Sequence, residues 1–193
     1  MKPLVKWGLI ALACVVVFVG IYVLYDVLKE NYDGESIATK EPVSQGQTGS
    51  GEGETKKHPA PNFTVYNEKG EEVKLSDFLG KPVVLNFWAS WCYYCKEEMP
   101  DFDAAYKNHP EIQFLMINVT DGSSETVESA RAYVESEGYS FPVVYDTTLE
   151  AASAYGASGL PMTVFIDREG NYVAYASGML DAETLEYGLS MIK

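Results

Sequence analysis

Two cysteines separated by two residues are the side chains of this sequence best suited to chemistry. Cys92 and Cys95 stand in the run WCYYCKEEMP, which follows an apolar stretch over residues 83–88 and opens a predicted helix over residues 92–108. Free N–H groups and the helix dipole at such a position stabilise a thiolate, so Cys92 is the expected nucleophile of disulfide exchange. Two intervening residues bring the second sulfur back over the first, so Cys95 is expected to resolve a mixed disulfide.

The rest of the sequence argues against two other functions of a paired-cysteine motif, a structural zinc site and haem attachment. A structural zinc site needs a second pair of ligands, which three cysteines and two histidines do not supply. Haem attachment requires His directly after the second cysteine, where Lys96 stands. Binding of copper(I), which soft thiolates favour, remains an alternative with His58 or His109 as a further ligand. We expect no cofactor or resident metal beyond the redox-active cysteine pair.

Composition and charge exclude several classes of protein. The chain has 193 residues and a net charge of −14, so it lacks the basic surface that displaces counterions from nucleic acid. Apolar residues make up 47% of the sequence, which is enough for a folded core. Three cysteines are too few for a disulfide-stapled miniprotein. We therefore expect one globular domain with appendages and no nucleic-acid partner.

Residues 7–25 form an uncharged and strongly apolar segment. As a helix, this segment would span about 28 Å, close to the thickness of the hydrocarbon core of a bilayer. Lys2 and Lys6 precede it, so the positive-inside rule predicts a single-pass membrane protein with residues 1–6 in the cytoplasm and the remainder outside. A cleaved signal peptide and a lipoprotein signal at Cys14 remain alternatives to this transmembrane anchor.

The chain beyond the anchor divides into a linker and a domain. Residues 26–57 are predicted to be a flexible extracytoplasmic linker, because Gly, Ser and Thr are frequent from residue 31 onward and large apolar side chains are scarce. Residues 58–193 alternate strand and helix patterns, which predicts an α/β domain with a parallel or mixed sheet. The predicted strands cover residues 63–66, 71–75, 83–88, 112–119, 141–145, 162–167 and 172–177, and the later helices cover 124–137, 149–155 and a segment from Asp181.

Four features of residues 58–193 together resemble the thioredoxin superfamily, specifically its membrane-anchored TlpA/ResA-like thiol-disulfide oxidoreductases. They are the run FWASWCYYCKEEMP, the segment APNF at residues 60–63 with its hairpin, the strand–helix insertion between Val119 and Tyr145, and the segment GLPMTVFID at residues 159–167. The resemblance implies a thioredoxin fold with a central mixed sheet flanked by helices, an N-terminal β-hairpin and a central β–α insertion.

The resemblance also implies roles for residues around the first cysteine. Pro161 would be the cis-proline that faces the disulfide, and the backbone of Leu160 would pair with an extended substrate peptide. Trp91, Tyr93 and Tyr94 would supply apolar surface for substrate contact, with a purely structural packing role as the alternative for Trp91. The expected partners are exported protein thiols and disulfides, with apocytochrome c as one candidate, and a transmembrane electron donor.

One position departs from the pattern of cytosolic thioredoxins. Those proteins have a buried aspartate six residues before the first cysteine, where this chain has Asn86, which cannot titrate. In the anchored branch a glutamate three residues past the second cysteine can lie beside the site, and Glu98 holds that position. The alternative is that Glu98 is a solvated carboxylate, as we expect for its neighbour Glu97.

A carboxylate near the cysteines disfavours the thiolate and makes the dithiol a better reductant, so the sequence favours a reductase over an oxidase. An oxidase of exported proteins stays open. A thiol peroxidase on the same fold is a further alternative, although it needs Thr or Ser three residues before its reactive cysteine and this chain has Ala89 there.

Overall fold

The computed structural model describes residues 58–193 together with Tyr22 and Ile37–Ala38. Of the predicted anchor over residues 7–25, only Tyr22 is described; it is helical and exposed. The rest of the anchor, residues 1–6 and Cys14 lie outside the described residues. Within the ranges that the structure does describe, no helix has both the length and the apolar content needed to cross a membrane.

A mixed sheet forms the centre of the domain. Its strands are β1 (Ile37–Ala38), β2 (Thr64–Tyr66), β3 (Glu72–Lys74), β4 (Val83–Trp88), β5 (Gln113–Asn118), β6 (Val143–Tyr145), β7 (Met162–Ile166) and β8 (Tyr172–Ser177). They are ordered β1-β8-β7-β4-β5-β6-β2-β3. The central strand β4 runs parallel to β5 and antiparallel to β7. The predicted mixed sheet and its N-terminal hairpin, β2–β3, are confirmed.

Four α-helices and one 3₁₀ helix are found within residues 58–193. They are the 3₁₀ helix Leu75–Phe78 and helices α1 (Tyr93–Asn108), α2 (Val127–Glu137), α3 (Glu150–Tyr155) and α4 (Ala182–Ser190). The side chain of Asp181 accepts a 2.8 Å hydrogen bond from the backbone N–H of Thr184 and so caps α4. Gly138 ends α2 in the left-handed conformation, with φ of 72°. Both boundaries agree with the sequence-based prediction.

Several predicted boundaries differ from the structure by one to three residues, and β6 begins at Val143 rather than at 141. At two boundaries local polar contacts compete with regular structure. Helix α2 begins at Val127 rather than at 124, because Asp121 Oδ1 accepts hydrogen bonds from three successive backbone N–H groups, those of Ser123, Ser124 and Glu125. Leu75 begins a 3₁₀ helix rather than ending β3. The chain therefore turns at positions where the apolar pattern alone predicted regular helix or strand.

The predicted linker over residues 26–57 is described only at Ile37–Ala38. These two residues form β1, which pairs antiparallel with β8 by placing Ile37 opposite Ala176 and Ala38 opposite Tyr175. Without β1, β8 would be the edge strand of the sheet, and an edge strand offers unpaired backbone groups to an extended segment that reaches it. A two-residue strand thus lies within the predicted linker, and the other residues of that linker lie outside the described residues.

The core lies on both faces of the sheet, which explains the nearly continuous apolar run of β4. Trp88 and Val84 pack on the face covered by α1, α2 and α4, whereas Leu85 and Phe87 pack on the opposite face, against the hairpin and α3. Asn86 is the one polar residue of β4 and is fully buried. Alternate residues of a strand face the same side of the sheet, so Asn86 lies on the face of Val84 and Trp88. Its amide therefore points toward the helix that carries the cysteines.

Candidate active site

The two cysteines lie where β4 turns into α1. The backbone N–H of Cys92 donates a 3.1 Å hydrogen bond to the carbonyl of Ala89, which closes a tight turn after the strand. Cys92 is the N-cap residue of α1, and its sulfur accepts a 3.2 Å hydrogen bond from the backbone N–H of Cys95. The two cysteines form a disulfide, with Cα atoms 5.3 Å apart. The predicted placement of both sulfurs at the start of one helix is confirmed.

The two sulfurs differ in accessibility. Cys92 retains 5% of its surface, whereas Cys95 is completely buried. A substrate approaching from solvent therefore meets Cys92 before Cys95. The backbone N–H of Cys95, in the first turn of α1, points toward the sulfur of Cys92, and such a group favours the thiolate over the thiol.

Pro161 lies at the same end of the sheet as the cysteines. It directly precedes β7, and β7 pairs with β4 so that Met162 lies opposite Phe87. The Leu160–Pro161 peptide bond is cis, in agreement with the resemblance. Pro161 is buried and its carbonyl accepts a 2.9 Å hydrogen bond from Gly178, whereas Leu160 is half-buried. Among the residues that the structure describes, none forms a hydrogen bond with the backbone of Leu160.

Glu98 is buried beneath the first turn of α1, with 1% of its surface exposed. Oε1 accepts a 2.7 Å hydrogen bond from the amide of Asn86, and Oε2 accepts a 2.9 Å hydrogen bond from the backbone N–H of Leu180. The alternative of a solvated carboxylate is therefore wrong for Glu98, although it holds for Glu97, which is exposed. Residues three apart on a helix are neighbours, so Glu98 shares the buried face of α1 with Cys95.

Burial raises the pKa of the Glu98 carboxyl to about 7, and the charge of Asp101 acts in the same direction. The hydrogen bonds from Leu180 and Asn86 stabilise the carboxylate and partly oppose this effect. A carboxyl that titrates near neutral pH can both accept and return a proton under ordinary conditions. Glu98 thus supplies a titratable carboxyl on the face of α1 that carries Cys95, whereas the strand carries the neutral Asn86.

Three large side chains stand exposed around Cys92. Trp91, Tyr93 and Tyr94 retain 59%, 66% and 60% of their surfaces, and the two tyrosine rings meet edge to face with centroids 5.4 Å apart. A packing role is therefore wrong for Trp91. Met179, also exposed, directly precedes Leu180, whose N–H binds Glu98, so it adds to the apolar surface at this end. Nothing in the sequence pattern had indicated Met179.

Comparisons with known proteins agree with this geometry. Residues 57–175 match the AhpC/TSA family. The chain belongs to this family. The thiol-disulfide oxidoreductase ResA of Bacillus subtilis is 33% identical over 156 residues, which cover 81% of this chain and 80% of that protein. ResA of Geobacillus kaustophilus is 35% identical over 136 residues, which cover 69% of this chain and 76% of the relative.

Solved structures of related proteins show the same fold. DsbF of Mycobacterium tuberculosis is 26% identical, with a TM-score of 0.61 over 68% of this chain and 95% of that one. The exposed lipoprotein thioredoxin of Streptococcus pneumoniae is 29% identical, with a TM-score of 0.57 over 67% of this chain and 98% of that one. The resemblance to ResA-like members of the thioredoxin superfamily is confirmed, and this AhpC/TSA family member is a thiol-disulfide oxidoreductase.

The structure of this family member gives little support to the two alternative functions, a thiol peroxidase and a copper(I)-binding protein. Ala89 is buried and has no hydroxyl, and the hydroxyl of the next residue, Ser90, donates to a carboxylate instead of facing Cys92. His109 caps the far end of α1, about 24 Å along the helix, and lies 2.9 Å from Glu186. The backbone carbonyl of His58 accepts from Tyr172 at the start of β8. Neither histidine is brought to the cysteine pair.

The structure adds a buried carboxylate that sequence analysis of this AhpC/TSA domain missed. Glu125 is completely buried, and its Oε2 accepts hydrogen bonds from both the backbone N–H and the hydroxyl of Ser90, at 2.9 and 2.8 Å. Its Oε1 accepts from the amide of Asn118, at 3.1 Å. The available signal was Asn118 itself, because an amide at the end of an otherwise apolar buried strand requires a polar partner.

Proposed function

We propose that this protein is an extracytoplasmic, membrane-anchored reductase of disulfides in exported proteins. The observation that carries the proposal is the burial of Glu98 beside Cys95. A carboxylate in that position disfavours a neighbouring thiolate and so favours loss of electrons from the dithiol. The uncharged segment over residues 7–25, with Lys2 and Lys6 before it, supports the anchored and extracytoplasmic placement.

In the proposed reaction the reduced protein transfers two electrons and two protons to a substrate disulfide. The Cys92 thiolate attacks one substrate sulfur, a mixed disulfide forms, and the other substrate sulfur leaves as a thiolate that takes up a proton. Cys95 then attacks the sulfur of Cys92, which releases the second substrate thiol and leaves the Cys92–Cys95 disulfide. A dithiol donor in the membrane regenerates the reduced pair by the reverse exchange.

Glu98 would act as the proton carrier for the buried cysteine. Cys95 has no exposed surface, so its thiol proton cannot pass directly to bulk water. The Glu98 carboxylate accepts that proton when Cys95 attacks and returns it when the pair is reduced again. Asn86 and Leu180 hold the carboxylate in place through both steps.

Substrate recognition would depend mainly on the main chain. The backbone of Leu160 is available to pair with an extended peptide as a short added strand, which requires no particular substrate sequence. The exposed side chains of Trp91, Tyr93 and Tyr94 would contact apolar residues flanking the substrate cysteine. Such recognition suits several unfolded exported clients, among which apocytochrome c is one candidate.

The reduction potential of the cysteine pair tests the proposed direction. The full-length protein in detergent would be equilibrated with glutathione or dithiothreitol buffers, and the fraction of the Cys92–Cys95 disulfide would be measured by mass spectrometry. A value near that of thioredoxin, about −270 mV, is expected for a reductase. A value near −120 mV, roughly that of a strong periplasmic oxidant, would reverse the proposed direction.

The proposed membrane anchoring and extracytoplasmic placement of the domain need a separate experiment. Alkaline phosphatase, which folds only outside the cytoplasm, would be fused after Lys193 of the full chain. We expect an active fusion that remains in the membrane fraction after carbonate extraction. A variant with Lys2 and Lys6 changed to Glu should lose part of this activity because it lacks the positive flank. An inactive wild-type fusion would overturn the extracytoplasmic placement.

A further inference from the structure

Glu125 contacts the turn that presents Cys92, although it lies in another part of the chain. It directly precedes Thr126, the N-cap residue of α2, in the loop that follows β5. Ser90 lies within the turn closed by the hydrogen bond between Ala89 and Cys92. Because Glu125 Oε2 accepts both the backbone N–H and the hydroxyl of Ser90, the contact restrains the backbone of the turn as well as a side chain.

The Glu125 carboxylate is itself firmly held. Asn118 donates to Oε1 at 3.1 Å, and Asn118 is oriented in turn by Thr120, whose hydroxyl donates to Asn118 Oδ1 at 2.7 Å. The hydroxyl of Ser129, in the first turn of α2, lies 3.4 Å from the same Oε1. The carboxylate therefore ties the cysteine turn to both β5 and α2.

Among the residues that the structure describes, the hydrogen-bond donors around the Glu125 carboxylate are all neutral: Ser90, Asn118 and Ser129. A buried carboxylate without a cationic partner is costly for a fold to keep, because desolvation of the charge is offset only by these hydrogen bonds. An apolar residue could fill the same space, but it would leave the N–H of Ser90 and the amide of Asn118 without acceptors. The carboxylate thus serves as a common acceptor for the turn, β5 and α2.

We propose that Glu125 is a positioning residue for thiol-disulfide exchange, which fixes through Ser90 the turn that holds Cys92 at the N-terminus of α1. Reactivity at Cys92 depends on the turn because its sulfur must stay aligned with the N–H of Cys95, 3.2 Å away. A turn that moves loses this alignment, and attack by Cys92 slows. The proposal rests on Cys92 as the attacking thiol.

The domain contains a matched control for this contact. Asp103 on α1 accepts the backbone N–H and the hydroxyl of Ser140, both at 2.8 Å, in the same pattern as Glu125 with Ser90. This second contact holds the loop before β6 and lies two turns of α1 beyond the cysteines. Ser140→Ala therefore removes an equivalent hydrogen bond without touching the cysteine turn, whereas Asp103→Asn also weakens the ion pair of Asp103 with Lys107.

The test measures the reaction of the reduced full-length protein, in detergent, with a small aromatic disulfide that releases a coloured thiolate. Rates from about pH 5 to 10 give both the limiting rate constant at Cys92 and its titration midpoint. Glu125→Gln keeps the volume but can accept from Ser90 or from Asn118, not from both. We expect the limiting rate constant to fall about fivefold and the midpoint to rise, because the thiolate loses its aligned N–H donor.

Ser90→Ala provides the second variant, should Glu125→Gln fail to fold. It removes the hydroxyl contact alone and should lower the rate constant about twofold, and the double variant should be no slower than Glu125→Gln. Asp103→Asn and Ser140→Ala should lower the urea midpoint of unfolding but leave the rate profile unchanged.

Two outcomes would overturn the inference. One is a wild-type rate profile in Glu125→Gln and Ser90→Ala, with only stability reduced. The other is a titration midpoint that falls, which would mean that Glu125 acts as a charge on Cys92 and not as a restraint on its turn. A Cys92→Ser variant that reacted as fast as the wild-type protein would remove the attacking thiol on which the inference rests. Failure of the proposed function looks different: the reduction potential of the cysteine pair would be that of an oxidant, while the variants kept these relative rates.

Discussion

The amide of Asn86 on the central strand donates a 2.7 Å hydrogen bond to the carboxylate of Glu98 on the cysteine helix. Both side chains are buried, and Asn86 also donates to the hydroxyl of Thr163 on the neighbouring strand, at 3.1 Å. The strand thus contributes a neutral donor, and the helix contributes the group that titrates. In the proposed mechanism, the exchange of protons with the buried Cys95 would therefore involve the helix and not the strand.

Removal of the Glu98 charge should make the reactive thiol more acidic. In Glu98→Gln we expect the thiolate titration midpoint of Cys92, followed by ultraviolet absorbance against pH, to fall by about one unit or less, because a nearby negative charge no longer opposes ionisation. Glu97→Gln, on the exposed face of the same helix, is the control and should titrate as the wild-type protein does. An unchanged midpoint in Glu98→Gln would remove Glu98 from the mechanism.

The same residue predicts how stability depends on pH. The pKa of Glu98 is about 7 in the folded protein, above its ordinary value of 4.5, so folding favours the protonated form. This stabilisation is complete below about pH 4.5 and is lost as the pH rises through about 7, an effect of about 3 kcal/mol.

The measurement is the free energy of unfolding in urea for oxidised wild type and Glu98→Gln. Between about pH 4.5 and 7 the wild-type protein should lose about 3 kcal/mol relative to the variant, and the difference should be constant above about pH 8. Parallel curves over the whole range would show that Glu98 is not the group that titrates.

Replacement of the resolving cysteine should trap clients. With Cys95→Ser, the mixed disulfide on Cys92 cannot be resolved, so we expect covalent complexes with exported proteins that dithiothreitol releases. Cys92→Ser should form no such complexes and should not reduce insulin. Mass spectrometry of the trapped species identifies the client, and complexes that persist in Cys92→Ser would assign the attack to the wrong cysteine.

The exposed tyrosines Tyr93 and Tyr94 should contribute to the binding of protein substrates but not to that of small disulfides. Tyr93→Ser together with Tyr94→Ser should raise KM for an unfolded disulfide-bonded protein about tenfold, in line with about 1.4 kcal/mol of lost apolar contact. Turnover of a small disulfide should not change, because it is too short to reach both rings. Tyr187→Ser, an exposed tyrosine on α4, is the matched control.

Helix α4 packs closely enough on the sheet to require glycine at one position. A Cβ on Gly188 would overlap the ring of Phe165, which is fully buried in β7. We expect Gly188→Ala to lower the free energy of unfolding by about 1–3 kcal/mol, as measured in urea. Gly178→Ala should have no such steric effect, although its positive φ adds backbone strain. Gly188→Ala with wild-type stability would contradict the close packing.

Much of the fold could be predicted because its signals are local. The apolar run of β4, the N-cap at Asp181 and the stop at Gly138 each depend on a few adjacent residues, and all three are confirmed. The start of α2 could not be predicted, because it depends on hydrogen bonds to Asp121 that compete with the helix. The sequence left substrate contact and packing as alternatives for Trp91, since a large apolar side chain beside a buried strand can also pack in the core.

The amino-acid sequence by itself determined the reactive pair, because spacing along one helix turn suffices to bring Cys92 and Cys95 together. Only the tertiary structure decided the environment of that pair. Glu98 is buried because Asn86 and Leu180, which are 12 and 82 positions away in the chain, converge on it, and Glu125 reaches Ser90 across 35 positions. Burial and hydrogen bonding between distant segments set the pKa of a carboxyl, and no local pattern of residues encodes them.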